Sequence, residues 1–217
     1  MRLPYVTGLR CVICGKDHGP EATGTCPTCG LEGILDVRYD YDRVARSLTP
    51  ESVWSRPRDH WRFRELIPVA PETPLPPLHV GWTPVYDGKR LAVFLGVRSI
   101  LLKDEGRNPT ASFKDRASAV GVAKALEAGA RTIACASTGN AASSLAGMAA
   151  SVGLPSVIFV PERAPAPKVA QLLVYGAHVV QVKGTYEQAW DLCQSACAKW
   201  GWYNRNCAVN PFLVEGK

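Results

Sequence analysis

Two C-x-x-C-G units near the start of the chain constrain its fold more than any other feature. They read C-V-I-C-G and C-P-T-C-G, and eleven residues lie between the second and third cysteines. Each pair brings two thiolates to one ion, and the glycine that follows can adopt the positive φ that closes a tight turn. Four sulfurs form the tetrahedral ligand set that zinc prefers. The sequence therefore predicts a structural zinc ribbon over residues 1–40, with the ligands Cys11, Cys14, Cys26 and Cys29.

The segment between the two cysteine pairs is polar and rich in glycine, so it cannot form a core without a metal ion. Metal binding would then supply most of the folding free energy, on the order of 10 kcal/mol. A redox dithiol is the alternative, but it would normally lie on a βαβ unit, and none surrounds these cysteines. His18 is predicted not to be a ligand. Many zinc ribbons bind nucleic acids or proteins, so a non-catalytic, partner-binding role stays open.

The overall composition and the N-terminal sequence predict a soluble, cytoplasmic protein. The 217 residues are 47% hydrophobic, and the net charge of +6 is spread without a basic run, which makes nucleic-acid binding unlikely. The N-terminus lacks the apolar region of a signal peptide. The most apolar stretch, residues 141–160, contains glycine, proline and serine and predicts a helix followed by a buried strand. The other four cysteines are predicted to be free thiols in apolar surroundings: Cys135, Cys193, Cys197 and Cys207.

Residues 85–217 have the rhythm of strand–helix units. An irregular, proline-rich connection is predicted over residues 41–84, with six prolines between 68 and 84. Strand-like runs follow at residues 99–102, 132–136, 156–160 and 178–182, and glycines at regular intervals end the helices between them: Gly129, Gly153, Gly176 and Gly201. This spacing predicts an α/β fold with a parallel sheet covered by helices.

In such a sheet the ligand lies at the carboxyl ends of the strands, where two polar loops are predicted. S-T-G-N-A (137–141) follows a buried strand and begins a helix, so its N–H groups and hydroxyls suit a carboxylate or a phosphate, with N-capping by Ser137, Thr138 or Asn140 as the alternative. In the other loop, Ser112 could likewise be only a helix cap, and Asp115 only an acid that matches the helix dipole. Lys114 has no such alternative, because a cation opposes the dipole at a helix start, and turning the amine into a neutral imine would remove this conflict and favour its use as a nucleophile.

Four segments together resemble the threonine synthases, which are fold type II pyridoxal-phosphate enzymes of the tryptophan synthase β-like class. The lysine motif is L-L-K-D-E-G-R-N-P-T-A-S-F-K-D-R, residues 101–116, and the asparagine loop is A-S-T-G-N-A-A, residues 136–142. V-G-W-T-P (80–84) and N-P-F-L-V-E-G-K (210–217) are similar to two further family segments. A zinc ribbon also occurs in a subset of threonine synthases.

The resemblance implies a cofactor, a reaction and site residues. Lys114 would form the Schiff base with pyridoxal 5'-phosphate and move protons at Cα and Cβ of the substrate. Asn140 would bind the ring oxygen of the cofactor. The α-carboxylate of the substrate would be held by Ser137, Thr138, Gly139 and Ala141. The implied reaction converts O-phospho-L-homoserine and water to L-threonine and phosphate, in a homodimer when the protein has its full length. Asp115 and Arg116 are expected to fix the helix start.

The sequence departs from the family at several positions. Ala111 replaces a common glycine, which is tolerable only if this backbone does not need a positive φ. Leu213 stands where several threonine synthases carry an arginine that helps to hold the substrate phosphate, and Cys207 and Ala208 replace more polar residues. The charge could come instead from Lys183, Arg205 or Asn206.

The sequence ends where the family continues into a second domain, which predicts an incomplete protein that is inactive alone and exposes an apolar face. The enzymatic alternative is another fold type II enzyme acting on serine, threonine or phosphoserine, such as a dehydratase.

Overall fold

A computed structural model describes residues 3–217 of the chain. The N-terminal part is a three-stranded antiparallel sheet formed by β1 (Val6–Cys11), β2 (Asp17–His18) and β3 (Leu35–Tyr39), with β1 in the centre. Alternate residues of β3 are buried, as expected for a sheet with one covered face. This architecture, with its four cysteines, is compatible with the predicted zinc ribbon.

The segment that the sequence analysis predicts to be irregular contains short helices in its first part. They are α1 (Tyr41–Ser47), α2 (Pro50–Ser55) and a 3-10 helix (His60–Leu66), while residues 67–84 contain neither helix nor strand. Thr49 and Ser52 form a reciprocal capping box at the start of α2. Caps of this kind let helices of one or two turns form in a sequence without helical periodicity.

The strand predicted at 99–102 does not join the parallel sheet. It lies at β5 (Leu101–Lys103) and pairs antiparallel with β4 (Val85–Asp87), and α3 (Lys89–Leu95) connects the two. This prediction was wrong because an apolar run indicates a strand but does not identify its partner, and β4 is only three residues long. All residues of both strands are exposed, so nothing among residues 3–217 covers this hairpin.

The parallel sheet itself is confirmed. It contains β6 (Ile133–Ala136), β7 (Ser156–Pro161), β8 (His178–Val182) and β9 (Tyr203–Asn204), in the order β8-β7-β6-β9. The last strand was not predicted, because two residues carry no periodic signal. The accompanying helices are α4 (Lys114–Glu127), α5 (Asn140–Ala150), α6 (Ala166–Val174), α7 (Tyr186–Trp200) and α8 (Phe212–Glu215).

Helices cover both faces of this sheet because alternate strand residues point to opposite sides. Ile133 and Cys135 of β6 lie in one apolar cluster with residues of α4, α5 and α6, whereas Ala134 and Ala136 lie in another with α7. The four predicted helix-ending glycines all have positive φ, between 66° and 78°. Residues 141–160 form α5 and β7, as predicted, and none of the helices described here is long and apolar enough to cross a membrane.

The three-stranded sheet packs on the α/β part through one mixed cluster. Leu9 and Val37 of the sheet share this cluster with Val120 of α4 and Phe212 of α8. Tyr39 strengthens the contact, since its hydroxyl lies 2.9 Å both from the carbonyl oxygen of Leu66 and from Oε2 of Glu215. The ribbon and the last residues of the chain therefore meet on α4.

Candidate functional site

Both polar loops singled out in the sequence lie at the carboxyl edge of the parallel sheet. Helix α4 begins at Lys114 and ends shortly before β6, while α5 begins at Asn140 shortly after β6. Because α4 ends next to the amino end of β6 and α5 begins next to its carboxyl end, α4 and α5 both start on the carboxyl side of β6. The packing of α4 against α5 brings the two helix starts to the same side of the molecule. This edge is where open α/β sheets bind ligands.

The backbone around Lys114 is held by two neighbouring side chains. Asp115 is fully buried and accepts hydrogen bonds from the backbone N–H of Thr110 (2.7 Å) and from its hydroxyl (2.5 Å). Ser112 Oγ accepts a hydrogen bond from the N–H of Lys114 at 3.0 Å, but the N-cap residue of α4 is Phe113, so Ser112 is not the N-cap that the sequence left open. The side chain of Lys114 is partly exposed, and its Nζ has neither a hydrogen bond nor an ion pair within residues 3–217. Nζ lies 5.9 Å from the ring centroid of Phe113, so a fixed backbone presents an amine with an aromatic neighbour but with no hydrogen-bonding or ionic partner among these residues.

Glu105 connects this loop to the V-G-W-T-P segment. It forms a bidentate ion pair with Arg116, with both N–O distances at 2.8 Å, and accepts hydrogen bonds from Thr83 Oγ1 (2.7 Å) and Asn108 Nδ2 (2.9 Å). These partners, Arg116 first, lower the pKa of Glu105 to about 2. Asn108 Oδ1 in turn accepts a hydrogen bond from the N–H of Gly81 at 3.0 Å.

Two residues of these segments have left-handed backbone conformations without being glycine. Ala111 has φ 57° and Trp82 has φ 49°, and among residues 3–217 no other non-glycine residue has a positive φ. The condition that the sequence analysis set for Ala111 is therefore not met, because this backbone does need a positive φ. Strain of this kind costs about 1–2 kcal/mol per residue and persists only where surrounding contacts enforce it.

The S-T-G-N-A loop leaves the start of α5 without a side-chain cap. Gly139 is the N-cap residue, so the alternative of capping by Ser137, Thr138 or Asn140 was wrong. Ser137 Oγ accepts a hydrogen bond from the N–H of Gly139 at 3.2 Å, and Asn140 Oδ1 accepts one from Nζ of Lys168 at 3.1 Å. All five residues are at least partly exposed, so the positive end of the α5 dipole is accessible to an anion.

A third segment, which the sequence analysis named only as a source of charge, lies at the same edge. Asn206 follows β9, and its Oδ1 accepts a hydrogen bond from the N–H of Ala136 at 3.0 Å. Arg205 is only 2% exposed, and its Nη2 donates to Ser118 Oγ of α4 at 3.0 Å. Burial raises the pKa of Cys135 at the end of β6 to about 12, although the positive charge of Arg205 works in the opposite direction. These contacts span 70 and 87 residues, so no local pattern could predict them.

The positions at which the sequence departs from the family differ in exposure. Leu213 is fully buried, and a Cβ atom added to Gly121 of α4 would lie only 2.5 Å from its Cδ2. Leu213, which lies on α8, therefore packs against α4. Cys207 is partly exposed, while Ala208 and Lys183 are exposed.

The four cysteines of the N-terminal sheet form a compact group, as predicted. Their sulfur atoms all lie within 4.8 Å of one another, and His18 is not part of the group. The glycines after the two pairs, Gly15 and Gly30, have φ 70° and 63°. Gly33 is also required, because a Cβ atom there would lie 2.7 Å from the Cβ atoms of Cys26 and Cys29.

The electrostatics of this group favour thiolate formation at two positions, because backbone N–H groups lower the pKa of both Cys11 and Cys26. Burial of Cys26 opposes its ionisation, but backbone N–H groups of Cys29 and Thr28 outweigh this effect and lower its pKa to about 6. Sulfur atoms at these distances can hold a metal ion. The remaining four cysteines are free thiols, of which Cys135, Cys193 and Cys197 are buried, as predicted.

Residues 77–217 match the family described as pyridoxal-phosphate dependent enzyme. Among curated proteins, the chain is 37% identical over 209 residues to the threonine synthase of Methanocaldococcus jannaschii, covering 96% of this chain and 51% of that protein. It is 39% identical over 211 residues to the threonine synthase of Methanosarcina acetivorans, covering 96% of this chain and 50% of that protein. The chain thus spans about half the length of these relatives.

Solved structures of enzymes with this fold are also similar. Diaminopropionate ammonia lyase from Escherichia coli in its apo form matches 62% of this chain and 44% of its own, with a TM-score of 0.56 and 21% identity. O-ureido-L-serine synthase matches 58% of this chain and 42% of its own, with a TM-score of 0.53 and 26% identity. The first likeness shows the fold alone.

Proposed function

This chain belongs to the pyridoxal-phosphate dependent enzymes, and we propose that it carries the reactive lysine of a threonine synthase, converting O-phospho-L-homoserine and water to L-threonine and phosphate. The observation that carries the proposal is the unpaired amine of Lys114 on a backbone fixed by Asp115 and Ser112, at the edge where α5 presents an uncapped start. The names of the curated relatives support the choice of substrate.

The residues at this edge fit the cofactor. Lys114 would hold its aldehyde carbon covalently, and Asn140 would exchange its bond with Lys168 for one to the ring hydroxyl. When bound, pyridoxal phosphate withdraws electrons from the substrate, so that protons can leave Cα and Cβ and phosphate can leave Cγ.

The other roles fall to the residues of the chain itself. The N–H groups and hydroxyls of residues 137–141 bind the α-carboxylate of the substrate at the positive end of the α5 dipole. The amine of Lys114, when free, would take a proton from Cα of the substrate and return protons to the reacting carbons. Glu105, Arg116 and Asp115 keep this amine in place, because Arg116 pairs with Glu105 and Asp115 holds the buried Thr110 on the other side of Lys114.

The cysteine group fits a structural zinc ion. Cys11, Cys14, Cys26 and Cys29 would bind it as four thiolates, which leaves no open position for catalysis. Its role is to hold the N-terminal sheet in the form that packs on α4.

The test uses the gene product at its natural full length, supplied with pyridoxal phosphate and O-phospho-L-homoserine. Phosphate and threonine are measured together, and we expect equal amounts of both, abolished in Lys114→Ala. Lys168→Ala is the matched control, since this lysine is also close to Asn140 but has no role at the reacting carbons. Release of ammonia from serine or threonine, without phosphate release from O-phospho-L-homoserine, would assign the chain to a dehydratase instead.

A further inference from the structure

Ala136, the last residue of β6, lies where the parallel ladder runs out of strand. On the side of β9, the N–H of Arg205 donates to the carbonyl oxygen of Ala134 at 2.8 Å. In a parallel ladder the next residue of β6 to bond on that side is Ala136, but β9 ends at Asn204. Ala136 is only 2% exposed, so its N–H and carbonyl groups would be costly if they were left without partners.

Two side chains supply these partners in place of a strand. Asn206 Oδ1 accepts a hydrogen bond from the N–H of Ala136 at 3.0 Å, and the hydroxyl of Tyr186 donates to the carbonyl oxygen of Ala136 at 3.2 Å. Burial raises the pKa of Tyr186, so its hydroxyl remains a donor at neutral pH. The end of β6 is therefore fixed from two elements, the segment after β9 and the start of α7.

The two side chains differ in how they are embedded. Asn206 is 4% exposed, and its Nδ2 also donates to Asn204 Oδ1 at 2.9 Å, so it belongs to the core. Tyr186 is 44% exposed, but its backbone is fixed by a reciprocal capping box between Thr185 and Gln188 at the start of α7. Replacing Tyr186 with phenylalanine thus removes one hydrogen bond without opening a cavity in the core.

The contact of Tyr186 is made with the peptide unit that enters the S-T-G-N-A loop. The carbonyl of Ala136 and the N–H of Ser137 belong to one planar unit, and this N–H donates to the carbonyl oxygen of Phe159 on β7 at 3.1 Å. The unit is therefore held on both sides. Ser137 Oγ in turn accepts a hydrogen bond from the N–H of Gly139, the N-cap residue of α5. The orientation set at Ala136 is passed on to the loop.

We propose that Tyr186 is a positioning residue for the α-carboxylate of the substrate, acting through the peptide unit between Ala136 and Ser137. The inference rests on the proposed function and deepens it, because the donors of residues 137–141 would bind this carboxylate. Donors that are held in place before a ligand arrives lose less conformational entropy on binding. Without the hydroxyl, the carbonyl of Ala136 lacks its partner, so the peptide unit can turn and the loop donors no longer keep one arrangement.

The experiment compares ligands that differ only in the α-carboxylate. O-phospho-L-homoserine is paired with aminopropyl phosphate, and L-serine with ethanolamine, on the full-length protein loaded with pyridoxal phosphate. The absorbance change of the cofactor before product forms gives the four dissociation constants. In Tyr186→Phe we expect affinity for both amino acids to fall roughly three- to tenfold, as for one lost hydrogen bond, and affinity for both amines to stay unchanged. KM for O-phospho-L-homoserine should rise by a similar factor, with kcat nearly unchanged.

Tyr39→Phe is the matched control. It also removes a tyrosine hydroxyl, which lies 2.9 Å from the carbonyl oxygen of Leu66, but it does so at the ribbon. We expect this variant to have a lower melting temperature and four unchanged dissociation constants. The comparison separates loss of stability from loss of carboxylate binding.

The pattern of loss decides between positioning and ordinary packing. Equal losses for amino acids and amines in Tyr186→Phe would overturn the proposal, as would four unchanged constants. A carboxylate effect seen with the serine pair, without formation of threonine and phosphate, would refute the proposed function and leave Tyr186 in its role. Formation of threonine and phosphate without any carboxylate effect in Tyr186→Phe would support the proposed function and refute the role of Tyr186.

Discussion

Ala111 is the residue at which the lysine loop stores backbone strain. A non-glycine residue at φ 57° destabilises the folded state by about 1–2 kcal/mol. Glycine avoids this strain, but it lowers stability by about 0.4–1 kcal/mol because the unfolded chain gains conformational entropy. We therefore expect Ala111→Gly to raise the free energy of unfolding by roughly 0.5–1 kcal/mol and the melting temperature by about 1–4 °C.

Thermal unfolding checks this, and an alanine in an ordinary conformation provides the control. Ala198 is exposed in the last turn of α7, so Ala198→Gly should instead lower stability, by up to about 1 kcal/mol. If both variants lose stability alike, Ala111 is not strained.

His60 gives the protein a pH dependence of stability. Its imidazole is 6% exposed, and burial together with the nearby charge of Arg116 lowers its pKa to about 4. The unfolded chain binds a proton near pH 6.5, so stability is fully present above that pH and is lost as the pH falls through 6.5 towards 4, by about 3 kcal/mol.

Denaturant unfolding at a series of pH values measures this slope. His60→Gln should flatten it between pH 6.5 and 4.5, while His79→Gln, at an exposed histidine, should not. Glu105, whose pKa is lowered to about 2, adds to the loss only at lower pH. An unchanged slope in His60→Gln would show that another group titrates in this range.

At the scale of the elements, α5 and the lysine loop approach each other at a glycine. A Cβ atom at Gly147 would lie 2.8 Å from Cγ2 of Thr110, the residue that Asp115 holds. Gly147→Ala should therefore displace the loop and cost about 1–3 kcal/mol, even though alanine favours helices. Gly139→Ala adds a Cβ atom with nothing within 4 Å, so it should lose only the N-cap preference for glycine, about 0.5–1 kcal/mol, without displacing the loop. A Gly147→Ala variant as stable as the wild type would contradict this close packing.

The elements that could be predicted from the sequence are those with a continuous signal. The runs of β6, β7 and β8 and the glycines after their helices identified the parallel sheet. β4 and β9 were missed because they have only three and two residues. Since β4 was missed, the true partner of β5 was missed as well.

The residues of the candidate site also divide into those in local sequence motifs and those that meet only in the folded chain. Lys114 and the four ribbon cysteines stand in dense local motifs that could be identified directly. The setting of Arg205 arises only when residues far apart in sequence meet: Ser118 lies 87 positions away. Sequence reasoning could name this arginine as a source of charge, but it could not show that the charge is buried and without a carboxylate partner.

At the scale of the whole molecule, the ribbon and the α/β part share one apolar cluster, so loss of the metal should affect both. We expect a strong zinc chelator to unfold the N-terminal sheet and to lower the melting temperature of the remainder, because the face of α4 that carries Val120 and Ala123 becomes exposed. Reaction with a thiol reagent should then show four additional accessible cysteines, with Cys135, Cys193 and Cys197 still protected. A chelator without effect on thiol reactivity would argue against a metal site.

The hairpin of β4 and β5 with α3 forms a large exposed apolar surface. Phe94 is 84% exposed, Val93 82% and Leu101 71%. The sequence analysis predicted an exposed apolar face; we expect the 217-residue chain to self-associate through this surface, and Phe94→Ser to reduce the associated fraction in sedimentation velocity. Val174→Ser, at an equally exposed residue of α6, is the control and should have no effect. Equal reductions in both variants would point to non-specific aggregation.

The hydrogen bond between Tyr39 and Glu215 has a consequence for how the protein is made. Its partners are separated by 176 residues, so synthesis at about 5–20 residues per second puts roughly ten seconds or more between their emergence from the ribosome. For the first part of that interval the ribbon has no α4 against which to pack, and for almost all of it the ribbon has no α8. Metal captured early would keep the nascent N-terminus folded until its docking surface exists, and the order in which metal and chain arrive would then decide how much of the product assembles correctly.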